Sequence, residues 1–334
     1  MLRQTLSLMK VSRFWWLIAL IIISCSEKES HPYTFYYWKT KLALNSDEQK
    51  ALNNADSPYL YTRFFDVDKT AGNIQPVGIL TKDKSFVTRK KIVPVVFITN
   101  RTFLHIPRDG ISLLAKNINR LIQDKIAEYH LDTAPEIQVD CDWTSGTRDD
   151  YFAFLKELKQ ISGKTITCTL RLHQVKDKKK TGIPPVQKVY LMCYSTSSPL
   201  ENSGKNSILD VNTLKNYLSD IDHYPIRNIE AALPIYSWGI VTNHLKKHKL
   251  INGLSIKDLD KSQFKRISEN EIEIEQDGFY FGSYLSKGFR IKVEEISHDQ
   301  LRDVVRFLEK KIPNFAIVYY QLDHRFVQGQ NFNF

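Results

Sequence analysis

Acidic, aromatic and other polar side chains recur just past the ends of short apolar, β-rich runs in this sequence. In chain order they are Trp38 and Lys39, Asp66 and Asp68, then Asp140, Asp142 and Trp143. His173 and Gln174 follow, then Tyr194, Tyr236 and Trp238, and last Asp323 and His324. Asp66 and Asp68 stand two residues apart, as do Asp140 and Asp142, so each pair shares one face of an extended strand. Such a pair suits acid/base work, and it suits equally the holding of a neighbouring cation such as Arg63. Beyond residue 24 the chain has three tryptophans, Trp38, Trp143 and Trp238, each at an expected strand end. An aromatic ring stacks on the C–H face of a pyranose, while a carboxylate binds hydroxyls or moves a proton. The set therefore reads as a sugar site. Asp140, Asp142, Asp68 and Asp323 are its candidate acid/base groups, and Trp38, Asp66, Trp143, His173, Tyr194, Tyr236 and Trp238 its candidate contacts. Core packing is the competing explanation for each tryptophan, and loop capping for His173.

Other chemistry is poorly represented. The sequence holds no GxGxxG, P-loop, GxSxG or HExxH pattern, so no cofactor is expected. His244 and His248 have the i, i+4 spacing of a helical metal pair, but no glutamate lies between them and lysines surround them; no metal is expected. Cys141, Cys168 and Cys193 each lie in an apolar run without CxxC spacing, which reads as buried free thiols rather than a disulfide framework or a zinc site.

The elements that must position these residues follow from the hydrophobic period. Eight strands are expected: Tyr33–Trp38, Tyr59–Asp66, Val93–Thr99, Glu136–Asp142, Thr165–Leu172, Lys188–Tyr194, Ile229–Tyr236 and Phe315–Leu322. Helical stripes lie between them. Ser46 with Gln49, and Ser297 with Gln300, have capping-box spacing, and Asp210 can cap a helix running to about Ile221. Ile111, Leu114, Ile118, Leu121, Ile122 and Ile126 mark one long helix, and Tyr151, Phe154, Leu155 and Leu158 another. Strands alternating with helices give parallel pairing with right-handed crossovers, and eight of them in this length give an α/β fold of the (β/α)8 TIM-barrel kind. No helix is legible between Asp66 and Val93 or between Leu172 and Lys188, so an open α/β sheet is the alternative. Residues 33–334 form the barrel in this reading. Within it, 250–295 are a small β-rich insertion before the last helix, signalled by Ile272, Ile274, Phe279, Phe281, Tyr284 and Phe289 around an Asp277-Gly278 turn.

Here a resemblance enters. Val139-Asp140-Cys141-Asp142-Trp143-Thr144 resembles the fourth-strand signature of family 18 glycoside hydrolases, the chitinases and their relatives, whose core reads Asp-x-Asp-x-Glu. Leu191-Met192-Cys193-Tyr194 resembles their sixth-strand Met-x-Tyr. The resemblance implies a glycosidase barrel with Asp140 and Asp142 in its site. It also shows two departures: the family's proton-donating Glu falls on Thr144, and the Asp after the sixth-strand Tyr falls on Ser195. A threonine cannot protonate a leaving oxygen near neutral pH, so hydrolysis would need a rearranged pair, with Asp68 or Asp323 as donor. Arg63–Asp68 and Leu233–Gly239 also resemble stretches in bacterial lipoproteins related to glycosidase barrels.

The N-terminus bears on location. Arg3, Lys10 and Arg13 precede the apolar run Phe14–Ile23, which ends at Ser24-Cys25. The run is about half the ~20 residues a membrane span needs. The pattern reads as a leader over 1–24, and Ile22-Ile23-Ser24-Cys25 resembles a lipobox. That resemblance implies lipid on Cys25, a tether over 25–32, and a place in a bacterial cell envelope at the outer membrane. A plain anchor helix and a cleaved leader without lipid are the alternatives. Net charge is +10, with lysine runs at 176–180 and 246–249. In an exported protein these read as solvated loops rather than as a nucleic-acid surface, with contact to anionic lipid or polysaccharide as the alternative. The expected partners are a carbohydrate or envelope glycan, the membrane through Cys25, and an envelope protein. Three functions stand: a glycoside hydrolase with rearranged carboxylates, an inactive glycan binder, and a structural envelope lipoprotein.

Overall fold

The computed structural model describes residues 31–201, 204–330 and 332. The leader, Cys25 and most of the tether lie outside them. Eight parallel strands close into a barrel: β1 (Tyr33–Tyr37), β2 (Tyr59–Thr70), β3 (Lys91–Ile98), β4 (Glu136–Asp140), β5 (Thr165–Arg171), β6 (Lys188–Met192), β7 (Asn228–Pro234) and β15 (Ile317–Tyr320). Closure is made by β1, which pairs with β15 through Tyr33↔Ile317 and with β2 through Tyr36↔Tyr61. All eight expected strands are barrel strands. The sequence supports them with β-branched, aromatic and aliphatic residues, near-continuous in Lys91–Ile98 and Ile317–Tyr320 but alternating with Glu, Gln and Thr in Glu136–Asp140 and Thr165–Arg171, whose inner face is polar.

Helices α1 (Ser46–Asn54), α2 (Arg108–Tyr129), α3 (Arg148–Ser162), α4 (Leu172–Lys176), α5 (Lys178–Thr181), α6 (Val211–Tyr217), α7 (His298–Glu309) and α8 (His324–Val327) surround the barrel or cap it. The box at α7 forms as expected, Ser297 Oγ accepting from the Gln300 N–H. The α1 box sits one residue earlier, on Asn45 and Glu48. Asn45 leaves its side-chain oxygen free for the Glu48 amide, while Glu48 reaches back to the Asn45 N–H; the expected Ser46 falls inside the helix. No helix forms between β2 and β3. There β2 runs 12 residues and carries a short antiparallel outer strand, Asn73–Val77.

The barrel interior is polar toward its N-terminal end. Tyr61 and Tyr190 hydroxyls meet at 2.5 Å, and Glu136 accepts from Tyr190 at 2.9 Å and Thr167 at 2.8 Å. Cys141, Cys168 and Cys193 are buried and unpaired.

The insertion is larger than a hairpin. Strands β8 (Trp238–Thr242), β9 (His248–Asn252), β10 (Phe264–Ser268), β11 (Glu271–Ile274) and β14 (Arg290–Glu294) form an antiparallel sheet in the order β9-β8-β14-β11-β10. It has its own core, including Val241, Leu259, Ile272, Ile274 and Ile291. The sheet begins at Trp238 rather than at 250: Trp238–Thr242, whose three middle residues are all buried, follows the barrel strand Asn228–Pro234 too closely to be separated from it by pattern alone. A separate hairpin pairs β12 (Gly278–Tyr280) with β13 (Ser283–Leu285). Its turn lies at Phe281-Gly282, both with positive φ, rather than at Asp277-Gly278.

Candidate functional site

The C-terminal ends of the barrel strands open into a cleft of about 380 Å³. Its floor is Asp140 and Asp142. Trp38, Phe97, Met192, Tyr194, Ser195, Tyr236, Trp238 and Tyr320 supply the walls from the other strand ends, and Asn252 enters from the insertion. Alternation along β4 explains the floor. Glu136, Gln138 and Asp140 face the barrel interior while Ile137 and Val139 face the helices, and Asp142 continues the inward parity past the last ladder bond.

The two aspartates differ in environment. Asp140 is 7 % exposed and accepts from Thr169 Oγ1 at 2.6 Å. Burial pushes its carboxyl up to about 7, and the charge of Asp142 adds to the rise; Thr169 and Arg171 oppose it. Asp142 is half-buried and forms an ion pair with Arg171 through Nη1. The floor thus holds one carboxylic acid that changes charge near neutrality beside a carboxylate held by a guanidinium.

Aromatic rings form a continuous wall. Tyr194 stacks on Tyr320 at 5.5 Å, Tyr236 meets Trp238 at 5.3 Å, and Trp38 meets Tyr320 edge-on at 5.5 Å. Burial raises the Tyr194, Tyr236 and Tyr320 hydroxyls, which keeps them protonated. Trp238 is fixed by its Nε1–H, which donates to Glu294 at 3.0 Å. Glu294 is itself buried and also accepts from Lys292 Nζ at 2.8 Å and the Ser207 N–H at 2.9 Å. Burial pushes its carboxyl up, but the donors from Lys292, Ser207 and Trp238 bring it below the ordinary value.

The remaining sequence candidates lie elsewhere. Trp143 is fully buried outside the cleft, stacked on Tyr151 at 5.2 Å with Nε1–H donating to the Thr181 carbonyl at 2.9 Å. Its parity is that of Val139 and Cys141, so it faces α3, and its ring has no free face for a ligand. Asp66 accepts from Arg63 through both oxygens at 2.5 Å. Asp68 stands beyond the barrel rim on the long β2, bound by Arg101 and by Thr99 Oγ1 at 2.7 Å. Those hydrogen bonds hold its carboxyl well below the usual range. Asp323 N-caps α8 and accepts from Arg325 at 2.9 and 3.0 Å. Burial pushes Asp323 up, but Arg325 and Lys39 pull it down to about 2. Both carboxylates are therefore ionised near pH 7, which removes Asp68 and Asp323 as proton donors. His173 sits half-buried in α4 outside the cleft lining. Burial first, then Arg171, lower its pKa, so it is neutral at pH 7. Gln174 is a brace, donating to the Trp143 carbonyl at 3.1 Å and accepting from the Arg171 N–H at 2.8 Å. Thr144 is exposed in the turn before α3, where its N–H donates to Thr147 Oγ1 at 3.0 Å.

Sequence reasoning missed Arg171, Asn252, Glu294 and Arg325. Arg171 had a usable signal, as a residue at the end of an expected strand, two before His173. Arg325 Nη1 donates to the Asn252 carbonyl at 3.1 Å, joining the barrel end to the insertion. Nothing local in the sequence indicates that contact.

Among the described residues, Glu48, Asp323 and His324 bring ligand atoms within 4.8 Å of one another. Lys39 and Arg325 already occupy these carboxylates, so the group is an ion-pair cluster rather than a cation cage. His244 and His248 lie on the β8–β9 hairpin instead of a helix, and His248 Nδ1 is 3.0 Å from Thr242 Oγ1.

No family model matches the chain, and no curated protein matches it. Its fold is similar to that of the Bacillus cereus spore cortex-lytic enzyme SleL (TM-score 0.53, 15% identity, covering 87% of this chain and 71% of that one). It is also similar to the C-terminal domain of a candidate chitinase from Desulfitobacterium hafniense DCB-2 (0.57, 12%, 90% and 97%). A third similar structure is a chitinase from Chromobacterium violaceum ATCC 12472 (0.55, 10%, 88% and 96%). The shared property is the TIM-barrel fold.

Proposed function

We propose that this protein binds a carbohydrate chain in the cleft above Asp140 and Asp142, and that it does so as an envelope lipoprotein anchored through Cys25. The observation that carries the binding reading is the aromatic wall. Trp38, Tyr236, Trp238 and Tyr320 present ring edges and faces around two carboxylates, the combination that packs against sugar C–H faces while accepting from hydroxyls. The barrel neighbours favour chitin- or spore-cortex-like polymers as ligands, since those are the targets their names give. Anchoring rests on the lipobox-like N-terminus alone.

Thr144 stands where a chitinase carries its acid, and Asp68 and Asp323 are ionised, so binding is the primary reading. Hydrolysis is the second, and a specific observation favours it: Asp140 alone in the cleft has a carboxyl raised to about 7, the range in which a general acid works at neutral pH. The experiment uses the chain from Ser26 onward, which contains every described residue. Chitooligosaccharides and peptidoglycan fragments are titrated against tryptophan emission, and the same mixtures are read for cleavage by mass. Saturable quenching that disappears in Trp238→Ala, without product, supports binding. Product that disappears in Asp140→Asn supports hydrolysis. A flat titration with no product refutes both.

A further inference from the structure

The far end of the inserted sheet combines features that the cleft does not use. The turn between β8 and β9 exposes Leu245 by 76 %, flanked by Lys246, Lys247 and Lys249. Residues 231–257 contain no Asp or Glu, so the segment that carries these three lysines supplies no counter-charge of its own. The tip is built rather than loose. Asn243 Oδ1 accepts from the Leu245 and Lys247 backbone N–H groups, both at 2.9 Å, and Lys246 takes a left-handed φ of 56°. Lys249 Nζ donates to Ser283 Oγ at 3.2 Å, tying this hairpin to the β12–β13 hairpin. There Phe279 and Tyr284 pair directly across the strands, with ring centroids 5.3 Å apart, exposed by 82 % and 56 %.

Exposed Leu and Phe cost solvation and lysines without counter-charges repel one another, so a monomer in water gains nothing from this arrangement. At a bilayer surface both change sign: the apolar side chains enter the headgroup boundary, and the lysines meet anionic lipid. Charge complementarity and exposed apolar tips together favour a bilayer over a soluble polyanion, which would leave Leu245 and Phe279 in water. We infer that this tip is a second membrane contact, docking the inserted sheet on an anionic lipid surface. The cleft residue Trp238 lies at the opposite end of β8, about 13 Å away along the strand, so docking leaves the cleft open and sets its height above the surface.

The chain from Ser26 onward, free of any lipid, is sedimented with phosphatidylglycerol-containing vesicles and with pure phosphatidylcholine vesicles. The wild type should bind the former, less so as salt rises. The variant Lys246→Glu/Lys247→Glu should bind at least about thirtyfold more weakly, because losing each basic residue near an anionic surface costs about fivefold and the new carboxylates are repelled as well. Both sites are exposed, and an unchanged melting temperature shows that the fold survives. Val87→Ser, at a 72 % exposed apolar site elsewhere, should change nothing. In a separate variant, Leu245→Trp, tryptophan emission should move to the blue with anionic vesicles. The inference is overturned if the charge-reversed variant binds like wild type, or if the emission of the Leu245→Trp variant stays fixed. It is also overturned if the wild type ignores the vesicles; retention by a soluble anionic polysaccharide instead would assign the lysines to glycan.

Discussion

Asp140 makes the stability of this protein depend on pH in a direction opposite to that of most carboxylates. An aspartate in the unfolded chain ionises near 3.9. In the fold the Asp140 proton stays on up to about 7, because the carboxyl is buried and Asp142 stands beside it. Between these values the folded state binds one proton more than the unfolded state, so stability falls as pH rises. The loss is absent below about 3.9 and complete above about 7. From pH 5 to pH 8 the linkage relation with these two values gives a loss of about 2.5 kcal/mol. Asp140→Asn removes the titration and leaves an oxygen for Thr169 Oγ1 to bond. Urea unfolding of both proteins at pH 5, 6, 7 and 8 should therefore show the stability gap between the Asn variant and the wild type widening by about 2.5 kcal/mol from pH 5 to pH 8, in favour of the Asn variant. Asp142→Asn should move the midpoint of the wild-type loss downward, since it deletes the neighbouring charge. Parallel stability curves for wild type and Asp140→Asn across the whole range would refute the reasoning, by showing that the carboxyl is solvated and titrates normally.

Three other outcomes follow from the site geometry. Gly253→Ala should cost about 1–3 kcal/mol in chemical unfolding, since a Cβ there would collide with the Arg325 guanidinium at a φ of +76°. Glu294→Gln should cost about 2–3 kcal/mol, and should shift Trp238 emission to the red as the ring loses its charged acceptor. Trp143→Phe should cost about 1–2 kcal/mol by stranding the Thr181 carbonyl, measured by thermal melting, while leaving any glycan titration unchanged, because its ring lies outside the cleft.

The hydrophobic period of the sequence was enough for the barrel. All eight expected strands appear because each is a short run rich in β-branched, aromatic and aliphatic residues, either continuous or alternating with an inward polar side chain, and helices between such runs leave few topologies. The floor was legible for a related reason: Asp140 and Asp142 share parity, and parity is local. The same rule, applied one residue further, puts Trp143 out of step with both aspartates and so outside the cleft, although position alone had made it a candidate contact. The strand-end reading treated position along the strand as sufficient and omitted the facing direction.

Which carboxylate can hold a proton was a matter for the tertiary structure. Asp68, Asp140 and Asp323 are alike in sequence, each near a strand end, yet Arg101, a buried floor and Arg325 give them opposite proton affinities. Arg101 lies 33 residues from Asp68, and Thr169 lies 29 from Asp140, so neither pairing falls inside a local window. Arg325 is only 2 residues from Asp323, but Lys39 reaches the same carboxylate from the other end of the chain. The anchoring of Trp238 by Glu294 spans 56 residues and depends on the pairing of β8 with β14. Short-range periodicity therefore determined the scaffold and its floor, while charge state, ring orientation and the second sheet were decided by contacts that exist only once the chain has closed on itself.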